Sequence, residues 1–251
     1  MPGSEKKVIK YLHLRKGVIN LRHIGVVSSI KVPSKDNEEI EVTNQNIDDF
    51  SSSDATKKAD IIINNKGVSV KEHKSFLFNR IQRKDIFNFL KNLLGLTASI
   101  EITNKLDKKI IELHNNDKMT RNININSIMN NENFKVILKY LMLEGSPMKR
   151  STNPAELIMI NNKDIQSDED ICLYTFDEFL NEYSSKISFA IRRQWYGQKS
   201  KSEGKRAKSI ISNKDNAPWV FDDVKGSPEG WDEDIKKSER KTCYIVFIEL
   251  R

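Results

Sequence analysis

The chain has 251 residues, enough for one sizeable domain, and 37% of them are apolar, enough to build a core. No stretch approaches the roughly 18 to 20 continuous apolar residues of a membrane-spanning helix, and Met1–Lys10 lacks the apolar run of a secretory leader. The expected setting is therefore cytoplasmic, with no membrane partner, and the formal charge of +7 favours polyanionic partners such as nucleic acid.

Residues 8–32 hold short β-branched runs, Val18-Ile19 and Gly25 to Val32, which read as strands or hairpins. Pro33 to Asn37 is turn chemistry, Ile40 to Thr43 reads as a strand and Ser51 to Thr56 as a polar loop. Ala59 to Ile63 and Val68 to Lys71 read as two strands around a turn at Asn64-Asn-Lys-Gly67, with Gly67 expected to supply the positive φ angle. Ser75 is placed to cap a helix from Phe76 to Leu94, because Phe78, Ile81, Ile86, Phe89, Leu90 and Leu93 recur every three or four residues, and Gly95 is placed to stop it.

Glu132 to Leu143 repeats that helical spacing. Leu157 to Ile160 reads as a buried strand, Thr175 to Tyr183 as a short capped helix, Ile187 to Ile191 and Tyr244 to Ile248 as strands, and Lys199 to Lys208 as a basic loop. The expected architecture is a single α/β (α+β) domain over residues 1–251, with a mixed central β-sheet flanked by helices. Cys172 and Cys243 lie far apart and are expected as reduced thiols in the core, and His13, His23, His73 and His114 are scattered, so no zinc-ligand spacing is present.

The Asp60/Lys71 hairpin carries the chemistry. Side chains alternate between the faces of a strand, so Ser69 and Lys71 share one face. A turn at Asn65-Lys66 places Asp60 opposite Lys71; a turn at Asn64-Asn65 places it opposite Ser69. Either register puts an acid and an amine together at the end of a strand pair. A carboxylate and a backbone carbonyl, here that of Val70, can hold a hard cation such as Mg²⁺ through oxygen, and a neighbouring lysine can position water and add positive charge.

The segment from Lys57 to Lys71 resembles the core of PD-(D/E)XK nucleases, and of type II restriction endonucleases in particular, which carry an acid at the start of one strand and (D/E)-x-K on the next. Asp60 matches the first acid and Lys71 the lysine; Ala59 stands in place of the proline and Ser69 in place of the second acid. In one subfamily with Ser-x-Lys, the missing acid lies fourteen residues beyond the lysine and follows a basic residue; here that position is Asp85, after Lys84. The resemblance covers residues 57–85. It implies a restriction-endonuclease-like core, Mg²⁺ held by Asp60, Asp85 and the Val70 carbonyl, and catalytic roles for Asp60, Ser69, Lys71 and Asp85. It also implies a further acid from a helix before the first motif strand, for which Glu38, Glu39, Glu41, Asp48 and Asp49 are the candidates and Glu41 and Asp49 the choices. Glu72 is a further acid, expected on the opposite face from Lys71.

Between Arg192 and Lys214 there are eight basic residues and one acid, with Trp195 and Tyr196 among them. Arg192, Arg193, Lys199, Lys201, Lys205, Arg206 and Lys208 are the expected DNA contacts, and Lys149-Arg150-Ser-Thr152 is a second candidate for phosphate contact. Trp219 and Trp231 read as packing residues. The expected activity is site-specific, Mg²⁺-dependent cutting of double-stranded DNA by a homodimer. A repair or recombination nuclease of the same fold and a non-catalytic basic nucleic-acid-binding protein are the alternatives.

Overall fold

The computed structural model describes residues 3–34, 38–50, 57–73, 77–115, 122–195 and 242–250. In chain order the elements are α1 (Gly3–Leu14), β1 (Asn20–Leu21), β2 (Gly25–Val26), β3 (Ile30–Pro33), β4 (Glu39–Glu41), β5 (Ile61–Ile63), β6 (Lys66–Glu72), β7 (Leu77–Gln82), α2 (Arg83–Leu94), α3 (Leu96–Asn115), α4 (Asn131–Lys139), β8 (Leu157–Asn161), β9 (Ile171–Tyr174), α5 (Phe176–Tyr183), β10 (Ile187–Trp195) and β11 (Thr242–Leu250). They fall into two compact units, one of Met1–Phe78, Ile137–Ile187 and Leu250–Arg251, the other of Asn79–Val136 and Ser188–Glu249. The chain is thus mixed α/β, with a multi-strand central sheet flanked by helices.

The first unit is built on a six-stranded mixed sheet in the order β4-β3-β5-β6-β8-β9. β3, β5 and β6 run antiparallel to their neighbours, whereas β6 and β8 are parallel, pairing Val68 with Leu157 and Val70 with Met159. One sheet face presents Ile30, Ile61, Ile63, Val68, Val70, Met159 and Leu173 to a core that includes Val8, Ile9 and Leu12 of α1. Those three helical residues are fully buried and share one face at i, i+1 and i+4 spacing, and each contributes about 1.5–3 kcal/mol by leaving water. The N-terminal residues are therefore helical, where the β-branched Val8-Ile9 pair reads locally as part of a strand-forming region.

The β5–β6 hairpin takes the second of the two registers that the sequence allows, with Asp60 opposite Ser69. Ile63 pairs with Lys66, so the turn is Asn64-Asn65 alone, and Asn64 and Asn65 have φ of 47° and 67°. Two positive φ angles define the primed turn whose twist matches the flanking strands, and asparagine tolerates them. Asn64 also ties the hairpin to the preceding loop, its Oδ1 accepting from Ser28 N at 2.8 Å and Ser29 N at 3.0 Å and its Nδ2 donating to Val26 O at 2.7 Å. Gly67 sits in the strand and is required for space: a Cβ there would lie 2.6 Å from Pro154 O and 3.2 Å from the Ala59 Cβ.

In the second unit α2 packs against α3, and β7, β11 and β10 form a three-stranded sheet with β11 in the middle. The buried Arg83 guanidinium is ion-paired with Asp107. The helix expected from Phe76 starts instead at Arg83, because Leu77–Gln82 is a strand; Ser75 and Phe76 lie outside the described residues. Phe78 and Ile81 have helical spacing, yet the pairing of β7 with β11, from the far end of the chain, overrides it. α4, β8, α5, β10 and β11 follow the sequence expectation, with Thr175 and Glu178 forming a reciprocal cap at the start of α5. Cys172 is exposed on β9, where the strand alternation turns it away from the buried Ile171 and Leu173, and is not the core thiol expected. No helix among the described residues is long and apolar enough to cross a membrane.

Replacing Gly67 with alanine should destabilise the protein by about 1–3 kcal/mol, because both nearest obstacles belong to packed chain. Urea unfolding checks this: the midpoint should fall, and an unchanged midpoint would mean that the segment at Pro154 gives way freely.

Candidate active site

The site begins where β5 leaves the sheet. Asp60 N still donates to Val68 O at 2.9 Å, but the preceding residues turn aside: Lys58 N and Ala59 N both donate to Asn153 O, at 3.1 and 2.9 Å. The next outward N–H of β6, that of Val70, has therefore lost its neighbouring strand. The Asp60 side chain takes that place, Oδ2 accepting from Val70 N at 2.7 Å. A buried N–H without a partner would cost roughly 1–3 kcal/mol, so this bond fixes the carboxylate as firmly as a ladder position.

Ser69 and Lys71 complete the cluster. Asp60 lies opposite Ser69, and the Ser69 hydroxyl donates to Asp60 Oδ2 at 3.3 Å. The Lys71 ammonium donates to Ser69 Oγ at 2.8 Å and to Val70 O at 3.1 Å, and lies 3.7 Å from Asp60 Oδ2. Asp60 and Ser69 are buried, while the Lys71 side chain keeps 27% of its exposure, so the cluster opens to solvent at the lysine. The serine thus bridges acid and amine through its hydroxyl.

Two further ionisable groups join them, and neither stood out in the sequence. Glu5, in the first turn of α1, has its carboxyl pKa pushed up to about 7, first by burial and then by the negative charge of Asp60, with Lys71 pulling the other way. Its Oε2 is buried with no hydrogen-bond partner among the described residues. An orphaned, buried carboxylate oxygen beside a second carboxylate is the arrangement that an oxygen-seeking cation satisfies. Lys58 has its pKa lowered to about 8, mainly by burial and then by Lys71, and its Nζ donates to Leu141 O at 2.6 Å. The acid that comes near Asp60 from a helix is Glu5 of α1, which is not among the residues 38–49 singled out in the sequence.

The other acids stand elsewhere. Glu41 is on the edge strand β4 and pairs with Lys16 at 3.0 Å; Glu39 pairs with Lys31, Asp48 with Lys10 and Lys6, and Glu38 and Asp49 are exposed. Glu72 follows Lys71 on β6 and alternates to the other face. Asp85 lies in the first turn of α2, in the second unit. Arg192 and Arg193 lie on β10, whereas Lys199, Lys201, Lys205, Arg206, Lys208, Trp219 and Trp231 fall outside the described residues. His23 and His13 hydrogen-bond to Glu178 and Asn44, and among the described residues no group of three or more His, Cys, Asp or Glu side chains is placed to hold a metal. Any cation here would thus rely on two carboxylates and a backbone carbonyl.

No protein-family model, curated protein or solved structure matches this chain.

The raised pKa of Glu5 fixes the sign of its effect on stability. The unfolded chain ionises this carboxyl near 4.5, whereas the folded protein keeps it protonated to about 7. Stability should therefore fall as pH rises between those values, and Glu5→Gln should remove the fall. Above pH 7 the variant should be more stable by about 1–2 kcal/mol, after discounting for the solvent that still reaches this part-buried group, and the two proteins should converge below pH 4.5. Parallel melting curves for the two proteins across this range would show that Glu5 is not held in an unfavourable field.

Proposed function

We propose that the chain is a Mg²⁺-dependent nuclease of the PD-(D/E)XK type that cuts double-stranded DNA, acting as a type II restriction endonuclease and as a homodimer. The observation that carries this reading is the convergence of Asp60, Ser69 and Lys71 on one hairpin with Glu5 from the preceding helix. The antiparallel run β3-β5-β6 followed by a parallel β8 supports it, since it places the motif strands at the centre of a sheet, as does the net charge of +7.

Asp60, Glu5 and the Val70 carbonyl would hold the cation. A bound Mg²⁺ supplies charge to the pentacovalent phosphate and lowers the pKa of bound water. The chain's own groups do the rest. Asp60 Oδ2 is fixed by Val70 N, which leaves Oδ1 as the other oxygen for a cation. Lys71, at the solvent edge, can orient a water and place its charge beside a phosphate oxygen. Ser69 holds the Lys71 amine by accepting its hydrogen bond. Lys58, half-buried near Asp60 and Lys71, adds positive charge that lowers the cost of gathering two carboxylates.

Incubation with phage DNA tests the reading. Discrete bands should appear with Mg²⁺ and not with chelator, and Asp60→Ala should reduce cutting by about 100-fold or more while leaving DNA binding largely intact. Intact DNA from the wild-type protein, or wild-type cutting by folded Asp60→Ala, would overturn it. Lys71→Arg should not restore the activity lost in Lys71→Ala, because arginine keeps the charge but not the geometry or the removable proton. The second carboxylate is assigned by the same assay: Glu5→Gln should be severely impaired. Wild-type cutting by Glu5→Gln together with loss in Asp85→Ala would move that role to Asp85.

A further inference from the structure

The loop after α4 carries a second feature that the catalytic reading does not use. Gly145 and Arg150 form an antiparallel bridge, and Ser146 N donates to Lys149 O at 2.9 Å, which closes a tight turn over Ser146-Pro-Met-Lys149. Pro147 presets the turn, and the Ser146 hydroxyl accepts from Met148 N and Lys149 N, both at 3.4 Å. The base is closed as well: a Cβ at Gly145 would lie 2.6 Å from the Tyr140 hydroxyl, so ring and backbone are in contact there. On this stiff support Met148 is 81% exposed, with Lys149 and Arg150 exposed beside it. Arg150 lies 3.6 Å from Glu144, a surface ion pair of small strength.

The turn is tied to the strand that bears Asp60. Ser151 N donates to Glu144 O at 2.7 Å, the Ser151 hydroxyl accepts from Lys58 N at 3.0 Å and donates to Asn153 O at 2.9 Å, and Asn153 O accepts from Lys58 and Ala59. A rigid tip that holds an apolar side chain in water beside two cations, and is fastened two residues from the candidate acid, suits a surface that alternates charge and apolar faces. Duplex DNA is such a surface: phosphates take lysine and arginine, and an unbranched apolar side chain with no donors can enter the groove between strands.

We infer that the Ser146–Arg150 turn docks duplex DNA beside the candidate active site, with Lys149 and Arg150 on phosphates and Met148 in the groove. This rests on the nuclease reading for its position relative to the scissile bond. The test measures binding of the full chain carrying Asp60→Ala to a fluorescent 30-base-pair duplex over a range of salt. Against that parent, Lys149→Ala/Arg150→Ala should weaken binding about 10-fold or more at moderate salt and lower the log–log salt slope by about 1.8, two contacts at roughly 0.9 each. Met148→Ala should weaken binding several-fold at an unchanged slope. The exposed Lys163→Ala should do neither. A double variant with the parent slope, a Met148→Ala protein with the parent affinity, or a parent that does not bind the duplex would overturn the inference. If wild-type protein shows this binding pattern yet leaves DNA intact with Mg²⁺, the nuclease reading alone fails; if it cuts and the slope is unmoved, the docking surface alone fails.

Discussion

The hydrogen bond from Val70 N to Asp60 Oδ2 holds the candidate site together. It exists because β5 pairs with β6 only as far as Ile61 opposite Val68, whereas β6 runs on beside β8 to Glu72. The backbone of residues 58 and 59 is drawn aside to Asn153, so a side chain has to finish the ladder, and an acid there is aligned by main-chain geometry instead of by its own rotamer preferences. The same departure brings Lys58 into the buried space near Asp60 and Lys71 and anchors the basic turn at Ser146–Arg150. The candidate site, the second lysine and the anchored Ser146–Arg150 turn all follow from one break in a strand.

Burial then governs the chemistry. Two carboxyl groups and two ammonium groups are gathered at the end of β6 and α1, and the field favours keeping the Glu5 proton to near neutrality and releasing the Lys58 proton at about pH 8. A cation taken up between Asp60 and Glu5 would reverse the first of these preferences, since positive charge favours the ionised carboxylate. The serine at position 69 fits this arrangement: an acid there would have added a third negative charge to a buried cluster, whereas a hydroxyl links Lys71 to Asp60 without charge.

The sequence revealed the hairpin because its signals are local. Runs of β-branched residues, two asparagines at the turn and an acid placed nine positions before Ser69 and eleven before Lys71 need no distant partner to be read. It left the register open, and the structure settles it through positive φ at Asn64 and Asn65, with Gly67 kept for the close passage of Pro154 and not for its torsional freedom. α1 is hard to read because its five apolar residues include the β-branched pair Val8-Ile9 and the exposed Leu14, and its stability comes from the sheet beneath it. β7 departs from its sequence pattern for a related reason: three-residue spacing of Phe78 and Ile81 suits a helix, while its strand partner β11 lies more than 150 residues away in sequence. Glu5 could have been suspected as a first-turn acid ahead of Val8, Ile9 and Leu12, but its approach to Asp60 is a product of tertiary packing.

Titration with Mn²⁺, followed by calorimetry in two buffers of different protonation enthalpy, tests the central claim that the Asp60 and Glu5 carboxylates form a cation site. The account predicts one bound ion per chain at pH 6.5, with proton release from Glu5 that disappears in Glu5→Gln, and loss of binding in Asp60→Asn. Mn²⁺ binding of wild-type strength in Asp60→Asn, or no binding to the wild-type protein at all, would contradict it.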